Sequence, residues 1–380
     1  MVVLSGGEVQ VNLRPPSRPA ASRPSRPTTQ PPAIVNALTI DVEDYFHVSA
    51  FESVSALDTW DGRELRVEAN TRKILSMLAE QGVTATFFVL GWVAERCPGL
   101  VKEIEAGGHE IASHGYGHRR VYTQTREEFR EDVRRAKVLL EDLGGQQVLG
   151  YRAPSYSISA LTLWAFDELL EAGYVYDSSV FPIRHDLYGL PDWPRFPFRV
   201  ERLEGGNWVP AEGGDVGQRG GEAARRPNPD LLPNAPAAQP PSAHEPPRLL
   251  EIPITTLRLA GRNFPIAGGG YFRLFPYRLT RWGLRRINRT DRRPFVFYLH
   301  PWEIDPKQPR ICGAGLKSRF RHYVNLDRTE ARLRRLLTEF AFASMRDVVS
   351  CPERPSREAG DLARARTEGR PARLLRDFSF

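Results

Sequence analysis

Short apolar runs alternate with segments of helical period along two stretches of the chain, residues 34–204 and 248–350. Runs rich in β-branched and aromatic residues predict strands, and apolar residues three or four apart between a capping residue and a glycine predict helices. The predicted strands are Ile34–Ile40, Val83–Leu90, Glu110–Ser113, Val148–Tyr151, Tyr174–Tyr176, Leu249–Ile254, Pro294–Leu299 and Met345–Val349. The predicted helices cover residues 70–81, 91–106, 125–143, 159–172, 276–287 and 329–342. This alternation predicts a parallel α/β architecture, and closed barrels and open sheets both fit it.

Three segments have no hydrophobic period, and their composition predicts disorder. Residues 1–33 are rich in Pro, Arg and Ser, residues 205–247 in Gly, Pro and Ala, and residues 351–380 form a charged tail. Because strands resume at Leu249, we interpret 205–247 as an insertion within one domain that spans 34–350, rather than as an interdomain linker. The glycine-rich segment Gly268–Arg273 predicts a flexible aromatic loop.

The composition excludes several classes of protein. A hydrophobic content of 41% in 380 residues indicates a globular chain, and no apolar run approaches the roughly 18 residues of a membrane span. The N-terminus has no basic region followed by a long apolar core, so we expect no secretory signal and a cytoplasmic protein. The net charge of +7 comes largely from arginines in the two tails. Solvated tails explain it better than nucleic-acid binding does. The three cysteines are too few and too far apart for a disulfide framework or a metal motif.

Ionisable side chains follow five of the predicted strands, each at or just after the carboxyl end of its strand. In a parallel α/β fold these ends open on one face, where ligands and catalytic groups collect. The residues are Asp41, Glu43, His114, Arg152, Asp177 and His300. His118 stands four positions after His114 in the string SHGYGH, so both imidazoles can face the same point on a helix or tight turn.

The residue types of this set predict a reaction class. One carboxylate and two imidazoles leave an open coordination position, as in catalytic metal sites. A metal held in this way lowers the pKa of its water to about 7 and polarises a carbonyl. A second carboxylate can take the proton of the water, and a distant histidine oriented by an aspartate can protonate the leaving group. The set therefore predicts metal-assisted hydrolysis of an amide or ester.

Each residue taken alone has a structural alternative. The histidine pair can be a core or surface feature, and the acids of Asp41–Asp44 can cap a helix in solvent. His300 can be a core histidine, Arg152 a surface ion pair, and Asp177 the cap of a turn. His185 stands beside one motif and is a candidate for the rim of the site.

The motifs, in this order, resemble those of the polysaccharide deacetylases, the family of chitin deacetylases and NodB-like carbohydrate esterases. The matching strings are IDVEDYFH from residue 40, SHGYGH from 113, YRAPSYSI from 151, YDSSVFPIRHDLYG from 176, GGGYFRL from 268 and FYLHPWEIDPKQPR from 297. The longer strings look like one branch, the deacetylases of exopolysaccharide loci that accompany the exosortase and PEP-CTERM sorting system. The resemblance implies a single domain with the distorted (β/α) barrel of NodB homologues.

The resemblance also implies roles for individual residues. Asp41 matches the general base, Arg152 the arginine that contacts the base, His300 the acid, and Asp177 the partner of that acid. The histidines His114 and His118 match the two metal ligands.

The third metal ligand departs from the common family pattern, which has two adjacent aspartates. Glu43 is favoured because side chains two apart on a strand share a face, and Asp44 is the fallback. The resemblance implies one divalent ion, with zinc expected before cobalt, nickel, manganese or iron.

A further set of residues is expected on the substrate side. By resemblance, a backbone N–H at position 155 completes an oxyanion hole, and positions 299 and 302 border an acetyl-sized pocket. An aromatic face and a guanidinium at 271 and 273 are candidates for contact with sugar. The set comprises Ser155, Tyr156, Leu299, Trp302, Tyr271 and Arg273.

The expected function is removal of N-acetyl groups from N-acetylhexosamine units of a polysaccharide or its precursor during exopolysaccharide biosynthesis. The expected partners are the acetylated glycan and exopolysaccharide assembly proteins. Two alternatives stay open: a hydrolase of other linear or cyclic amides, similar to allantoinase and the cyclic imide hydrolases, and a non-catalytic glycan-binding protein.

Overall fold

The computed structural model describes residues 34–185, 188–211 and 248–350. These described residues belong to one compact unit. The predicted N-terminal arm, the C-terminal tail and residues 212–247 of the predicted insertion lie outside the described residues, so these parts of the domain scheme stay predictions.

Twelve strands and ten α-helices make up the described residues. The strands are β1 Val35–Val42, β2 Thr86–Val89, β3 Glu110–Ser113, β4 Gly150–Tyr151, β5 Tyr176–Asp177, β6 Phe198–Arg202, β7 Trp208–Pro210, β8 Arg248–Glu251, β9 Thr256–Leu259, β10 Arg262–Pro265, β11 Val296–Leu299 and β12 Ala341–Ala343. The helices are α1 Val67–Gln81, α2 Gly91–Arg96, α3 Pro98–Ala106, α4 Arg126–Gly144, α5 Ala165–Glu171, α6 Gly269–Leu274, α7 Tyr277–Arg286, α8 Leu316–Tyr323, α9 Leu326–Glu339 and α10 Met345–Ser350.

The central sheet is mainly parallel. Its strand order is β11-β1-β2-β3-β4-β5-β8-β6-β7, with β12 also paired to β1. The strands from β11 to β8 run parallel, whereas β6 and β7 add antiparallel pairs at one end. The predicted α/β class is confirmed, and a mainly parallel central sheet combined with helices is consistent with a distorted barrel. Among the described residues the hydrogen bonds between strands do not close into a ring.

The register of the parallel strands aligns the carboxyl ends that carry the candidate residues. Asp41 of β1 lies opposite Phe88 of β2, and Ser113 of β3 pairs with both Val89 and Tyr151. Seven of the eight residues of β1 are buried, because strands cover it on both edges and apolar side chains on both faces. The carboxyl end of this strand is therefore a rigid support for the three acidic residues Asp41, Glu43 and Asp44.

The glycine-rich segment predicted as a flexible loop is instead the start of α6. Gly268 has φ of 128° and lies so close to the neighbouring strand that a Cβ atom would stand 2.0 Å from the carbonyl oxygen of Tyr298. Glycine is required here because only a residue without a side chain tolerates both the backbone angle and the close approach. Phe272 then enters the core from α6.

Three other sequence predictions are corrected. The predicted insertion begins too early, because Trp208–Pro210 pairs with β6 and buries the indole of Trp208. The predicted last strand at 345–349 is helix α10, preceded by β12, which the sequence assigned to the end of a helix. Helix α5 begins at Ala165 rather than after Ser159, because the hydroxyl of Thr162 accepts a hydrogen bond from the Ser159 backbone at 2.8 Å and holds a turn there.

The capping box predicted at the start of α4 is confirmed. The Thr125 hydroxyl accepts from the backbone N–H of Glu128, and the Glu128 carboxylate accepts from the backbone N–H of Thr125. Within the described ranges, none of the helices combines the length and the apolar character needed to cross a bilayer.

Candidate metal and active site

Glu43, His114 and His118 form a compact group at the carboxyl ends of β1 and β3. One potential ligand atom from each lies within 4.8 Å of the others, and the Glu43 Oε2 and His118 Nε2 atoms are 2.7 Å apart. The Nδ1 atom of His114 is 2.7 Å from the carbonyl oxygen of Arg152, which leaves its Nε2 atom for a ligand. Metal-ligating histidines commonly have this kind of carbonyl partner on their second nitrogen.

The turn between the two histidines is held by the following helix. Gly115 and His118 adopt φ of 74° and 51°, so the chain reverses sharply after β3. The Asp132 carboxylate of α4 accepts hydrogen bonds from the backbone N–H groups of Tyr116 and Gly117, at 2.8 and 3.1 Å. A left-handed histidine is an unfavourable conformation that the surrounding contacts must maintain, as is common at functional sites.

The group fits a divalent cation. The Oε2 atom of Glu43 is buried, and its described neighbour His118 Nε2, 2.7 Å away, does not form a well-aligned hydrogen bond with it. A buried carboxylate oxygen is costly unless it is paired or binds a cation. Burial tends to raise the pKa of Glu43, but His118 and His300 outweigh it and hold the pKa well below its usual range. Burial lowers the pKa of His114 to about 4, which keeps its imidazole neutral and able to bind a metal. One carboxylate and two imidazoles are a donor set typical of zinc and similar ions.

Asp44, the fallback ligand, has a different role. Its carboxylate accepts hydrogen bonds from the backbone N–H groups of Tyr45, Arg66 and Val67, at 2.7 to 2.8 Å. It thus caps the N-terminus of α1, where a negative charge is favourable. Burial nevertheless raises the pKa of Asp44 to about 6. The prediction that Asn70 caps this helix is wrong, because α1 begins three residues earlier.

Asp41 forms a buried ion pair with Arg152, as the resemblance implied. The Arg152 Nη1 atom donates to Asp41 Oδ1 at 2.6 Å and to the Thr39 hydroxyl at 2.8 Å. The other guanidinium nitrogens donate to the hydroxyl and carbonyl oxygens of Ser178. Burial would lower the pKa of Arg152, but Asp41 outweighs it and raises the pKa. The guanidinium therefore stays charged beside the Asp41 carboxylate.

His300 faces the same group of acids from the end of β11. Its Nε2 atom is 3.4 Å from Glu43 Oε1 and 3.8 Å from Asp41 Oδ2. Its Nδ1 atom is 2.7 Å from the Glu303 carboxylate, which in turn accepts a 2.6 Å hydrogen bond from Arg273. Burial lowers the pKa of His300, but Glu43 and Glu303 outweigh burial and raise it to about 9.

The prediction that Asp177 is the partner of His300 is wrong, because that partner is Glu303. Arg273, a candidate for contact with sugar, contacts Glu303 instead. Arg273 is buried, and its Nη1 atom also donates to backbone carbonyl oxygens of residues 321 and 322. The signal for Glu303 was the spacing His-x-x-Glu after a strand, which places the carboxylate over the imidazole when residues 301–304 form one 3-10 turn.

Asp177 holds the chain next to Arg152 in place through Ser179. It is fully buried, and its carboxylate accepts from the hydroxyl of Ser179 at 2.6 Å and from the backbone N–H of Ser179 at 3.1 Å. The same hydroxyl accepts from the backbone N–H of Ala153 at 2.8 Å, which fixes the chain directly after Arg152. Burial raises the pKa of Asp177, and its neighbour Glu251 also has a raised pKa.

Ser155 and Tyr156 form a strained turn after Arg152. Their φ angles are 54° and 55°, and the Ser155 and Ser49 hydroxyl oxygens are 2.5 Å apart. The Tyr156 ring lies 6.0 Å from the Arg152 guanidinium carbon and 5.3 Å from the Tyr298 ring. This places the turn beside the Asp41–Arg152 pair, while the oxyanion role of position 155 stays a prediction.

The remaining substrate-side candidates are distributed between the core and the rim. Leu299 is fully buried in β11, and Trp302 is buried between the rings of His300 and His322. The Trp302 indole donates to Glu43 Oε1 at 3.2 Å, so it orients the metal-site carboxylate in addition to any contact with an acetyl group. Tyr271 is half-buried in the lining of a separate cleft, and its contact with sugar stays a prediction.

Comparison with known proteins agrees with this geometry. Residues 53–174 match the family model described as polysaccharide deacetylase, and residues 224–350 match a domain of unknown function, DUF3473. The second model overlaps part of the predicted insertion.

Three curated relatives carry related names. A peptidoglycan-N-acetylglucosamine deacetylase of Bacillus cereus is 35% identical over 114 residues, which cover 30% of this chain and 40% of that protein. The peptidoglycan-N-acetylmuramic acid deacetylase PdaA of Bacillus subtilis is 27% identical, covering 40% and 58%. A chitooligosaccharide deacetylase of Sinorhizobium fredii is 46% identical over 48 residues, covering 13% and 22%. The chain thus spans less than two thirds of the length of each of these relatives.

Among solved structures, a Mycobacterium smegmatis protein provisionally described as a polysaccharide deacetylase covers 92% of this chain and 97% of its own, with a TM-score of 0.47 and 18% identity. The fold and the site define an α/β protein with a carboxylate and two histidines poised for a cation, beside an Asp–Arg pair and a His–Glu pair. The family model and the curated relatives show that residues 53–174 are similar to polysaccharide deacetylases.

Proposed function

We propose that the protein is a metal-dependent hydrolase that removes acetyl groups from N-acetylhexosamine units of a glycan. One observation carries this proposal: a buried carboxylate paired with arginine, a histidine paired with glutamate, and a cation-type group meet at one edge of the sheet. His300 Nε2 lies within 4 Å of both Asp41 and Glu43, so proton acceptor, proton donor and cation group surround the same small volume.

The residues divide the chemistry between them. Glu43, His114 and His118 would hold the cation, which when bound lowers the pKa of water and polarises the acetyl carbonyl. Asp41, paired with Arg152, accepts a proton from the attacking water as the oxygen of that water bonds to the acyl carbon.

His300 completes the reaction from the opposite side. With a raised pKa it carries a proton at neutral pH, and it gives this proton to the nitrogen as the carbon–nitrogen bond breaks. Glu303 holds Nδ1 of the imidazole and stabilises its charged form. The products are acetate and a free amine on the sugar.

The substrate class rests on the relatives and on the motif strings. The relatives are named for deacetylation of peptidoglycan and of chitooligosaccharides, and the strings of this chain are similar to those of exosortase-associated deacetylases. We therefore propose an exopolysaccharide or its precursor as substrate, contact with its assembly proteins, and zinc as the resident ion. A cytoplasmic place of action is a further prediction, to be tested by cell fractionation.

The test is acetate release by the purified protein from N-acetylated oligosaccharides, measured together with its metal content. We expect release that a chelator abolishes and added zinc restores, and loss of release in Asp41→Asn. Asp58→Asn, the same change at an exposed position, is the matched control and should keep full activity. Release from cyclic amides but not from acetylated sugars would favour the cyclic amide hydrolases. Glycan binding without any release would favour a non-catalytic binding protein.

A further inference from the structure

A second cleft lies beside the candidate site. It encloses about 1160 Å³ between the chain at 182–185, the segment 191–196, the β9–β10 hairpin and the side chain of Tyr271. The sequence pattern indicated His185 and Tyr271 as candidates, and both line the cleft. The cleft is large enough for one or more sugar residues.

The cleft is strongly cationic. Arg184, Arg258 and Arg262 line it. All three side chains are exposed, and none of their guanidiniums forms a hydrogen bond or an ion pair with a described residue. By contrast, Arg195 in the same lining already binds Thr256 and Asp291. Among the lining residues that the structure describes, Asp192 is the one acid. Three unpaired guanidiniums around one concave surface create a positive potential that attracts anions.

A polar acceptor in the same lining also lacks a partner. The Asn263 side-chain nitrogen donates to the carbonyl oxygen of Pro182 at 2.8 Å, which joins the hairpin to the opposite wall. Its Oδ1 atom is buried and accepts no hydrogen bond from a described residue. A buried acceptor without a donor is costly, and a sugar hydroxyl in the cleft would supply the donor.

A row of aromatic rings connects the cleft with the candidate site. The ring of His185 stacks on Tyr188 with centroids 3.9 Å apart, and Tyr188 is 6.1 Å from Tyr156. Tyr156 is 5.3 Å from Tyr298, whose ring is 5.9 Å from that of His300. These packed rings, of which Tyr156 and Tyr298 are buried, link the lining of the cleft to His300.

We propose that this cleft binds an anionic group, a carboxylate or a phosphate, carried by the glycan next to the N-acetylated sugar. The three unpaired arginines provide the charge, because a guanidinium binds carboxylate and phosphate through paired hydrogen bonds. This inference rests on the proposed function and adds to it that the polymer is acidic.

The test compares binding of two oligosaccharides by titration calorimetry. One is a hyaluronan oligosaccharide, in which N-acetylglucosamine alternates with glucuronate, and the other is a neutral chitin oligosaccharide. The test variant replaces the arginines of the cleft: Arg184→Gln, Arg258→Gln and Arg262→Gln. The matched control removes the same charge from exposed positions on α7 and the turn after it: Arg278→Gln, Arg286→Gln and Arg289→Gln.

We expect the test variant to bind the acidic oligosaccharide about tenfold more weakly and the neutral one unchanged. The control should keep both affinities, and the loss should shrink at high salt, where charges are screened. Free glucuronate and inorganic pyrophosphate are then compared as competitors of the acidic oligosaccharide. Stronger competition by glucuronate identifies a carboxylate as the preferred group, and stronger competition by pyrophosphate identifies a phosphate.

All titrations use the Asp41→Asn background, which blocks turnover. Equal affinities of the protein with an intact cleft for the two oligosaccharides, or equal losses for both in the test variant, would overturn the inference. A failure of acetate release in the unmodified protein bears on the proposed function and leaves this result independent. Conversely, acetate release by a protein that shows no preference for the acidic oligosaccharide would support the proposed function and refute the role of the cleft.

Discussion

Replacement of Glu303 by glutamine tests the contact that sets the charge of His300. The substitution keeps the size of the side chain and an oxygen that can accept from His300 Nδ1, but it removes the negative charge. We expect the pKa of His300 to fall, because its charged form loses a carboxylate partner. Arg273→Gln should raise this pKa instead, because Glu303 is then neutralised by His300 alone. Asp177→Asn should leave it unchanged.

The magnitude can be worked out from the structure. The rise in the pKa of His300 from 6.5 to about 9 corresponds to about 3 kcal/mol in favour of the protonated form. A charge-assisted hydrogen bond exceeds a neutral one by about 1 kcal/mol, so Glu303→Gln should lower the pKa by roughly one pH unit. Because the folded pKa is raised, this contribution to stability is fully present below about pH 6.5 and is lost as the pH rises through about 9.

The assay is a titration of the His300 ring by nuclear magnetic resonance in metal-free protein, since a cation at Glu43 would repel the proton and lower the pKa. The alkaline limb of the pH–rate profile of the metal-loaded enzyme should shift in the same direction for each variant. A His300 pKa that falls in Asp177→Asn and stays constant in Glu303→Gln would refute the assignment of the partner.

Four further variants separate chemistry from structure. Asp44→Ala should destabilise the fold by about 1–2 kcal/mol, because the cap of α1 is lost, and it should keep metal binding. Glu43→Gln should lose the metal and keep the fold. Denaturant unfolding and metal titration measure the two effects, and the reverse pattern would make Asp44 the ligand. Asp41→Asn should lower kcat by about 10²-fold or more with unchanged metal content, and normal turnover would exclude it as the base. Gly268→Ala should destabilise the protein by about 3 kcal/mol or more in chemical denaturation, because the new methyl group meets backbone; a neutral effect would contradict the close approach.

The residues that the sequence placed well are those whose position depends on strand direction. Asp41, Glu43, His114 and His300 each come after a run of buried apolar residues, and parallel strands bring their carboxyl ends to one edge. Such runs are easy to recognise in a sequence. Their order in the sheet is not needed to predict that the groups at their carboxyl ends are neighbours.

The predictions that failed depend on contacts far apart in the chain or on short irregular turns. The partner of His300 is Glu303 and not the predicted Asp177, because a 3-10 turn folds the Glu303 carboxylate back over the imidazole. The periodicity of a strand does not predict this geometry. Arg273 is recruited inward by Glu303 although arginine usually lies at the surface.

The N-terminal end of α1 illustrates the same limit. The residue that caps it, Asp44, stands more than twenty positions before the helix, so no local pattern could identify it. The alternative interpretation of the Asp41–Asp44 segment as a helix cap was therefore correct for one acid and wrong for the other two.

The β9–β10 hairpin is a two-stranded sheet of its own, apart from the sheet whose strand ends carry the catalytic candidates. Two of the three cleft arginines sit on it, near the turn at residues 260 and 261. Substitutions in this hairpin could thus change which polymer the protein prefers during evolution, while the residues that break the bond stay the same.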